Sequence, residues 1–74
     1  MQIMLDSDFY TQHAVEEMAS LFADYLSVTA QTGDAMLLNV TVTEEHHHDS
    51  TEIINTFLNN VLMLSIQEQF NHEH

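Results

Sequence analysis

The chain has no lysine and no arginine against twelve aspartates and glutamates, so its formal charge is -12 and its only possible side-chain cations are six histidines. Any fold it adopts must therefore do without conventional salt bridges at neutral pH. It has to gather its apolar residues while keeping its carboxylates apart. Repulsion of this kind penalises the compact state and is relieved by salt, which shortens the Debye length to roughly 10 Å at 0.1 M. Like-charge crowding is also expected to raise carboxylate pKa values, so that stability grows with moderate acidification. A phosphate backbone and an anionic membrane are both recognised through Lys and Arg, so direct binding to either is excluded as an expectation. The macromolecular partners that fit are basic proteins or peptides.

Seventy-four residues, 45% of them hydrophobic, are enough for one small domain over residues 1–74, close to the size below which a chain buries too little surface to fold unaided. Cysteine is absent, which removes disulfides and thiolate chemistry. Residues 1–8 lack the basic and apolar regions of a signal peptide, and no stretch approaches the ~20 apolar residues of a membrane span. A soluble cytoplasmic protein is the expectation.

Periodicity divides the chain into five elements. Gln2-Ile3-Met4-Leu5 reads as a strand closed by Asp6-Ser7-Asp8. Over residues 11–25, Ala14, Val15, Met18, Leu21, Phe22 and Tyr25 recur at helical spacing. Leu26, Val28 and Ala30 then alternate with polar residues. The alternation resumes with Met36, Leu38, Val40 and Val42 beyond Thr32-Gly33-Asp34, which predicts a hairpin whose turn draws a positive φ from the lone glycine. Leu37 breaks this pattern by pointing to the opposite sheet face. Residues 44–49 form a polar connection, and Asp49-Ser50-Thr51-Glu52 resembles a capping box with Asp49 at the N-cap of a second helix. Ile53, Ile54, Phe57, Leu58, Val61, Leu62, Met63, Leu64, Ile66 and Phe70 give that helix more apolar surface than one packing face requires. Residues 71–74 are expected to fray.

The order β-α-β-β-α predicts an α+β fold, a three-stranded sheet covered on one face by two helices, with the third strand between the other two as in a split βαβ unit. One sheet face is then open, and Leu37 lies on it. Leu37, Met63, Leu64 and Phe70 are accordingly the candidate partner-binding residues.

Chemistry-bearing clusters are sparse. Glu44-Glu45-His46-His47-His48-Asp49 is the one segment with metal-ligand character. Consecutive residues of an extended loop point in different directions, so a solvated polar loop is the leading expectation and a metal site at His46, His47 and His48 the alternative. His13, at the start of the first helix, reads as a neutral surface histidine because the dipole there disfavours an imidazolium. The serines belong to no nucleophile elbow or triad pattern, and Gly33 stands alone where a phosphate loop needs several glycines. Neither an enzyme nor a resident cofactor is expected.

Tyr10 ahead of Ala14-Val15, then Ala19 and Phe22-Ala23-Asp24-Tyr25 leading into a strand, followed later by Phe57-Leu58-Asn59-Asn60-Val61-Leu62 and Ile66, make the chain resemble the small HxsD protein of His-Xaa-Ser peptide-modification systems. The resemblance spans residues 3–70. It departs from that family where Met63-Leu64 replace a polar pair and where Gln67 stands in a helix that usually carries arginine. It implies an accessory protein acting beside a radical S-adenosylmethionine maturase on a repeat-containing peptide, with no catalytic residue to carry over. The leading expectation is thus a non-enzymatic acidic adaptor, acting as a homodimer or hetero-oligomer. Its rivals are an acidic nucleic-acid mimic that occupies a DNA- or RNA-binding protein, and a His-loop metal binder.

Overall fold

Alternation of apolar and polar residues along two adjacent segments demands a sheet with one buried face, and the computed structural model, which describes residues 1–72 and side chains through Phe70, contains one. Strands β1 (Gln2–Leu5), β2 (Leu26–Thr32) and β3 (Met36–Val42) form a single sheet in the order β1-β3-β2, and both outer strands run antiparallel to β3. The chain is an α+β fold of order β-α-β-β-α. Helix α1 (Gln12–Leu21) is the crossover between the parallel pair β1 and β2, while α2 (Ser50–His72) returns after β3.

The register Ile3↔Leu38↔Ala30 and Leu5↔Met36↔Thr32 sets the inner face. Leu5, Leu26, Met36, Leu38 and Val40 are buried there against Ala14 and Val15 of α1 and Ile54, Phe57 and Val61 of α2. Phe57 has no exposed surface and meets Phe22 edge to face, with ring centroids 5.6 Å apart at 75°. Burial of a side chain this large contributes about 2–3 kcal/mol, a substantial share of the ~4–11 kcal/mol that a domain of this size commands. The opposite face carries Gln2, Met4, Ser27, Thr29, Gln31, Leu37, Asn39 and Thr41, and among the described residues no other element covers it. None of these eight residues is charged.

Local sequence signals and the fold part company at three places. First, α1 ends at Leu21, four residues before Tyr25. The Phe22 carbonyl accepts from both Tyr25 and Leu26 N–H groups (2.8 and 2.9 Å), a turn that delivers the chain into β2 and lays Phe22 on Phe57. Second, Gly33 does not have a positive φ. The hairpin closes through the three residues between Thr32 and Met36, and a Cβ on Gly33 would come no closer than 3.9 Å to the Ala35 carbonyl. Third, Asp49 is not an N-cap. Residues Glu44–Asp49 form a 3-10 segment, kinked at His46, that continues into α2 through a helical Ser50, so the Asp49 position has no free first turn to cap. The entry lies instead at the extended Thr43, whose carbonyl accepts from His46 N–H at 3.0 Å. Of the tail expected to fray, Asn71 and His72 belong to α2, and residues 73–74 lie outside the described residues. No helix among the described residues is long and apolar enough to cross a membrane.

Candidate functional site

An α-helix turns 100° per residue, so residues spaced i, i+3, i+7 share a face. On α2 the buried stripe is Ile54, Phe57, Val61 and Ser65. Directly opposite run Glu52, Thr56, Asn59, Met63, Ile66 and Phe70, at the alternating four- and three-residue spacing of a coiled-coil seam. Met63, Ile66 and Phe70 are 62%, 44% and 67% exposed, three large apolar side chains on one line. Asn59 donates its amide to the Met63 sulfur at 3.7 Å within the same line. Of the sequence-derived candidates, Met63 and Phe70 therefore lie together on this outer face. Leu64 does not, being half-buried and packed against the core, and Leu37 sits on the far side of the sheet between Met4 and Gln31.

At its N-terminal end the same helix face opens into a cleft of about 350 Å³ lined by Phe22, Tyr25, His46, Asp49, Glu52, Ile53 and Thr56. The walls are aromatic and the rim is acidic. The Tyr25 and His46 rings meet edge to face at 4.7 Å, and His46 is fixed from behind by Thr43, whose hydroxyl lies 3.0 Å from Nδ1. Aromatic rings beside carboxylates suit a cation, because ring quadrupole and carboxylate charge attract the same ligand. A second hollow of about 400 Å³, between β3 and the start of α2, is lined by Met1, Val40, Val42, His47 and Ile54 among others and has no carboxylate.

The three loop histidines do not converge. His46 turns into the cleft, whereas His47 and His48 are exposed with ring centroids 6.1 Å apart. Among the described residues, the group whose ligand atoms do approach within 4.8 Å of one another is His13, Glu17 and Glu68. Its geometry is that of a clasp between helices. Thr11 is the N-cap of α1, its hydroxyl oxygen accepting from Ala14 N–H at 3.1 Å and its hydroxyl donating to Glu68 Oε1 at 2.5 Å. Thr11 N–H donates to Ser65 Oγ at 2.9 Å, and Ser65, the buried polar side chain of the core, donates to the Val61 carbonyl at 2.7 Å. The His13 ring meets the other Glu68 oxygen through Nδ1 and lies 3.6 Å from Glu17 through Nε2. Gln69 adds a bond to the Asp8 carbonyl at 3.2 Å.

These contacts shift two pKa values. The hydrogen bond to Glu68, then its charge and those of Glu17 and Glu16, raise His13 above its ordinary 6.5. The dipole argument that favoured a neutral His13 is thus outweighed by three nearby carboxylates. Glu68 is lowered, first by the Thr11 hydroxyl and then by His13. This is opposite in direction to the upward carboxylate shift that crowding predicts.

No family model, no curated protein and no solved structure matches this chain. The functional reading therefore rests on its own residues. Sequence reasoning found the surplus apolar surface of α2 but missed Tyr25 and Glu52 as cleft residues and missed the clasp. One signal for the clasp was present: Ser65 occupies a position on the α2 core stripe where an apolar residue belongs.

Proposed function

We propose that the chain is a non-enzymatic acidic adaptor that takes a basic, amphipathic protein segment along the outer face of α2. The observation that carries this reading is the continuity of that face, from the aromatic cleft rimmed by Asp49 and Glu52 to the exposed Met63, Ile66 and Phe70. A partner helix laid along it could seat Lys or Arg at one end and apolar side chains at the other, the helix-in-groove mode of recognition. At 1.5 Å per residue, the span from Glu52 to Phe70 is about 27 Å, which a partner helix of about 18 residues covers. The resemblance to HxsD proteins gives the partner a concrete form, a radical S-adenosylmethionine maturase or its peptide substrate, with this chain as the accessory subunit.

Calorimetric titration with a helical peptide of about 18 residues, Lys on one face and Leu on the other, tests the reading. Binding should fall at least tenfold, about 1.4 kcal/mol, in a Met63→Asp/Phe70→Asp variant, and a Glu-for-Lys peptide should not bind. Affinity indifferent to that double substitution and abolished by about 0.5 M salt would overturn the proposal and favour the nucleic-acid mimic, which works by charge alone.

A further inference from the structure

The parity of the β2–β3 ladder fixes which backbone groups of β2 face away from the sheet. Antiparallel residues alternate between pairs that exchange both hydrogen bonds and pairs whose groups point outward. Val40 exchanges both bonds with Met1 on the β1 side (2.8 and 2.9 Å), so its groups turn away from β2. On the other side, Thr43 N–H donates to the Tyr25 carbonyl at 2.8 Å, one step beyond the pair Leu26↔Val42. Ser27, Thr29 and Gln31 therefore bond to β3, while Val28, Ala30 and Thr32 present both N–H and C=O to the open edge. Leu26 contributes its carbonyl alone, because its N–H is held by the Phe22 carbonyl.

Natural edges of this length are usually blunted by a charge, a proline or a bulge. Here residues 25–33 contain no charged side chain and no proline, the seven-residue ladder pairs without a skipped residue, and Thr29, Ala30, Gln31 and Thr32 are all exposed. The other edge is different: β1 has four residues and is followed at once by Asp6 and Asp8.

We infer that β2 is a self-association edge, on which a second copy of this chain adds its own β2 antiparallel to make one continuous six-stranded sheet. The strip matches a copy of itself in parity and carries no charge to forbid the pairing. Two bodies each carrying -12 can approach closely only where neither presents a carboxylate, and the isologous contact sets the uncharged strip of one copy against the uncharged strip of the other. A two-fold axis at Thr29 sets Val28 against Ala30 of the second copy, outward groups against outward groups, and brings Asp24 of one copy toward Asp34 of the other at each end, a repulsion that salt relieves. The short, acid-flanked β1 edge closes the assembly at two copies instead of extending it into a fibre. The open sheet face is not the contact, because sheets pack face to face through apolar side chains and this face offers only Met4 and Leu37 among Ser, Thr, Asn and Gln. This inference uses a surface separate from α2 and stands apart from the adaptor reading.

A single strand edge buries less than the roughly 800 Å² per partner of a standard stable interface, so the dimer is a weak one. Sedimentation equilibrium of the full chain from about 10 µM to about 1 mM should show a monomer–dimer equilibrium that tightens about tenfold or more between about 20 mM and about 500 mM salt. Amide exchange should slow with protein concentration at Val28, Ala30 and Thr32 and stay unchanged at Ser27, Thr29 and Gln31. Ala30→Pro removes an outward N–H that the β3 ladder does not use, and Ala30→Asp places a charge on the strip without altering the backbone; each should abolish the dimer. A monomer throughout at high salt overturns the inference. So does a dimer that survives Ala30→Asp or that protects none of the three outward amides.

Discussion

Replacing Ser65 by alanine isolates the bond that ties the start of α1 to α2. Ser65 is fully buried, and its oxygen is the acceptor for Thr11 N–H at 2.9 Å. The substitution leaves that N–H without an acceptor, which costs about 1–3 kcal/mol when the donor is cut off from water. Two effects reduce the figure. Alanine is the better helix former by about 0.5 kcal/mol, and the hydroxyl's own bond to the Val61 carbonyl, four residues back, is of a kind that stabilises a helix little. A net loss of about 0.5–2.5 kcal/mol remains, which lowers the melting temperature of a domain this size by roughly 2–20 °C. Ser20, exposed within α1, supplies the control, because the same Ser→Ala change there removes no buried bond and should stabilise by up to about 0.5 kcal/mol. Urea unfolding followed by circular dichroism gives both values, and amide exchange at Thr11 should accelerate in the Ser65 variant alone. If Ser65→Ala leaves the chain as stable as before, or shifts it in the same direction as Ser20→Ala, the clasp does not hold the helices together and the reasoning fails.

Two further outcomes follow from the titratable groups. His13 has its pKa raised by Glu68, so its contribution is complete below the unfolded value near 6.5 and is lost as pH rises through the higher folded one; Glu68, lowered by Thr11 and His13, contributes fully above its ordinary 4.5 and loses that as pH falls through the lower folded value. His13→Gln should therefore lower the urea midpoint at about pH 5.5 and leave it unchanged at about pH 9, and an equal effect at both would refute the assignment. For the loop, divergent His46, His47 and His48 mean weak metal binding, so stoichiometric zinc or nickel should add no more than about 0.4 kcal/mol, under about 3 °C in melting temperature. A larger rise that disappears when these three are changed to alanine would establish a metal site there.

The elements that the sequence announced are those whose signal is local and repeated. In β3 one face is buried and the other open, so the two-residue alternation survives and even Leu37 falls on the expected side, while in β2 it holds for Leu26 and Val28 and ends at Ala30 and Thr32, which are exposed. The wide apolar surface of α2 was equally visible, but its division was not. Adjacent Met63 and Leu64 lie 100° apart on the helix, and only the direction of packing against the sheet decides that Leu64 turns inward while Met63 stays in water. The end of α1 was hidden for a similar reason, since Tyr25 fits the helical period and it is the contact of Phe22 with Phe57, far along the chain, that stops the helix early. The clasp joins residues 54 and 57 positions apart, a separation at which no local pattern operates.

The absence of cations explains why the polar residue of the core stands where it does. Two helices packed through Ala14, Val15, Phe57 and Val61 meet along apolar ridges that a slide of one turn, about 5.4 Å, would still bring into contact. Many proteins remove that ambiguity with oppositely charged pairs across the seam, and this chain has no Lys or Arg with which to make one. Beyond the pair His13–Glu68, which is ionic only when the imidazole is protonated, hydrogen bonds of short reach set the register. Thr11 N–H to Ser65 and the Thr11 hydroxyl to Glu68 are both satisfied at a single setting of the helices, and a displacement of one turn breaks the two together. Because both depend on the N-cap residue of α1, the start of the first helix, its alignment on the second and the ionisation of Glu68 are coupled through one threonine. The carboxylates beyond this clasp stay on loops, turns and outer helix positions, which leaves the α2 stripe from Thr56 to Phe70, the open sheet face and the β2 edge as surfaces free of charge on which a chain of -12 can make contact.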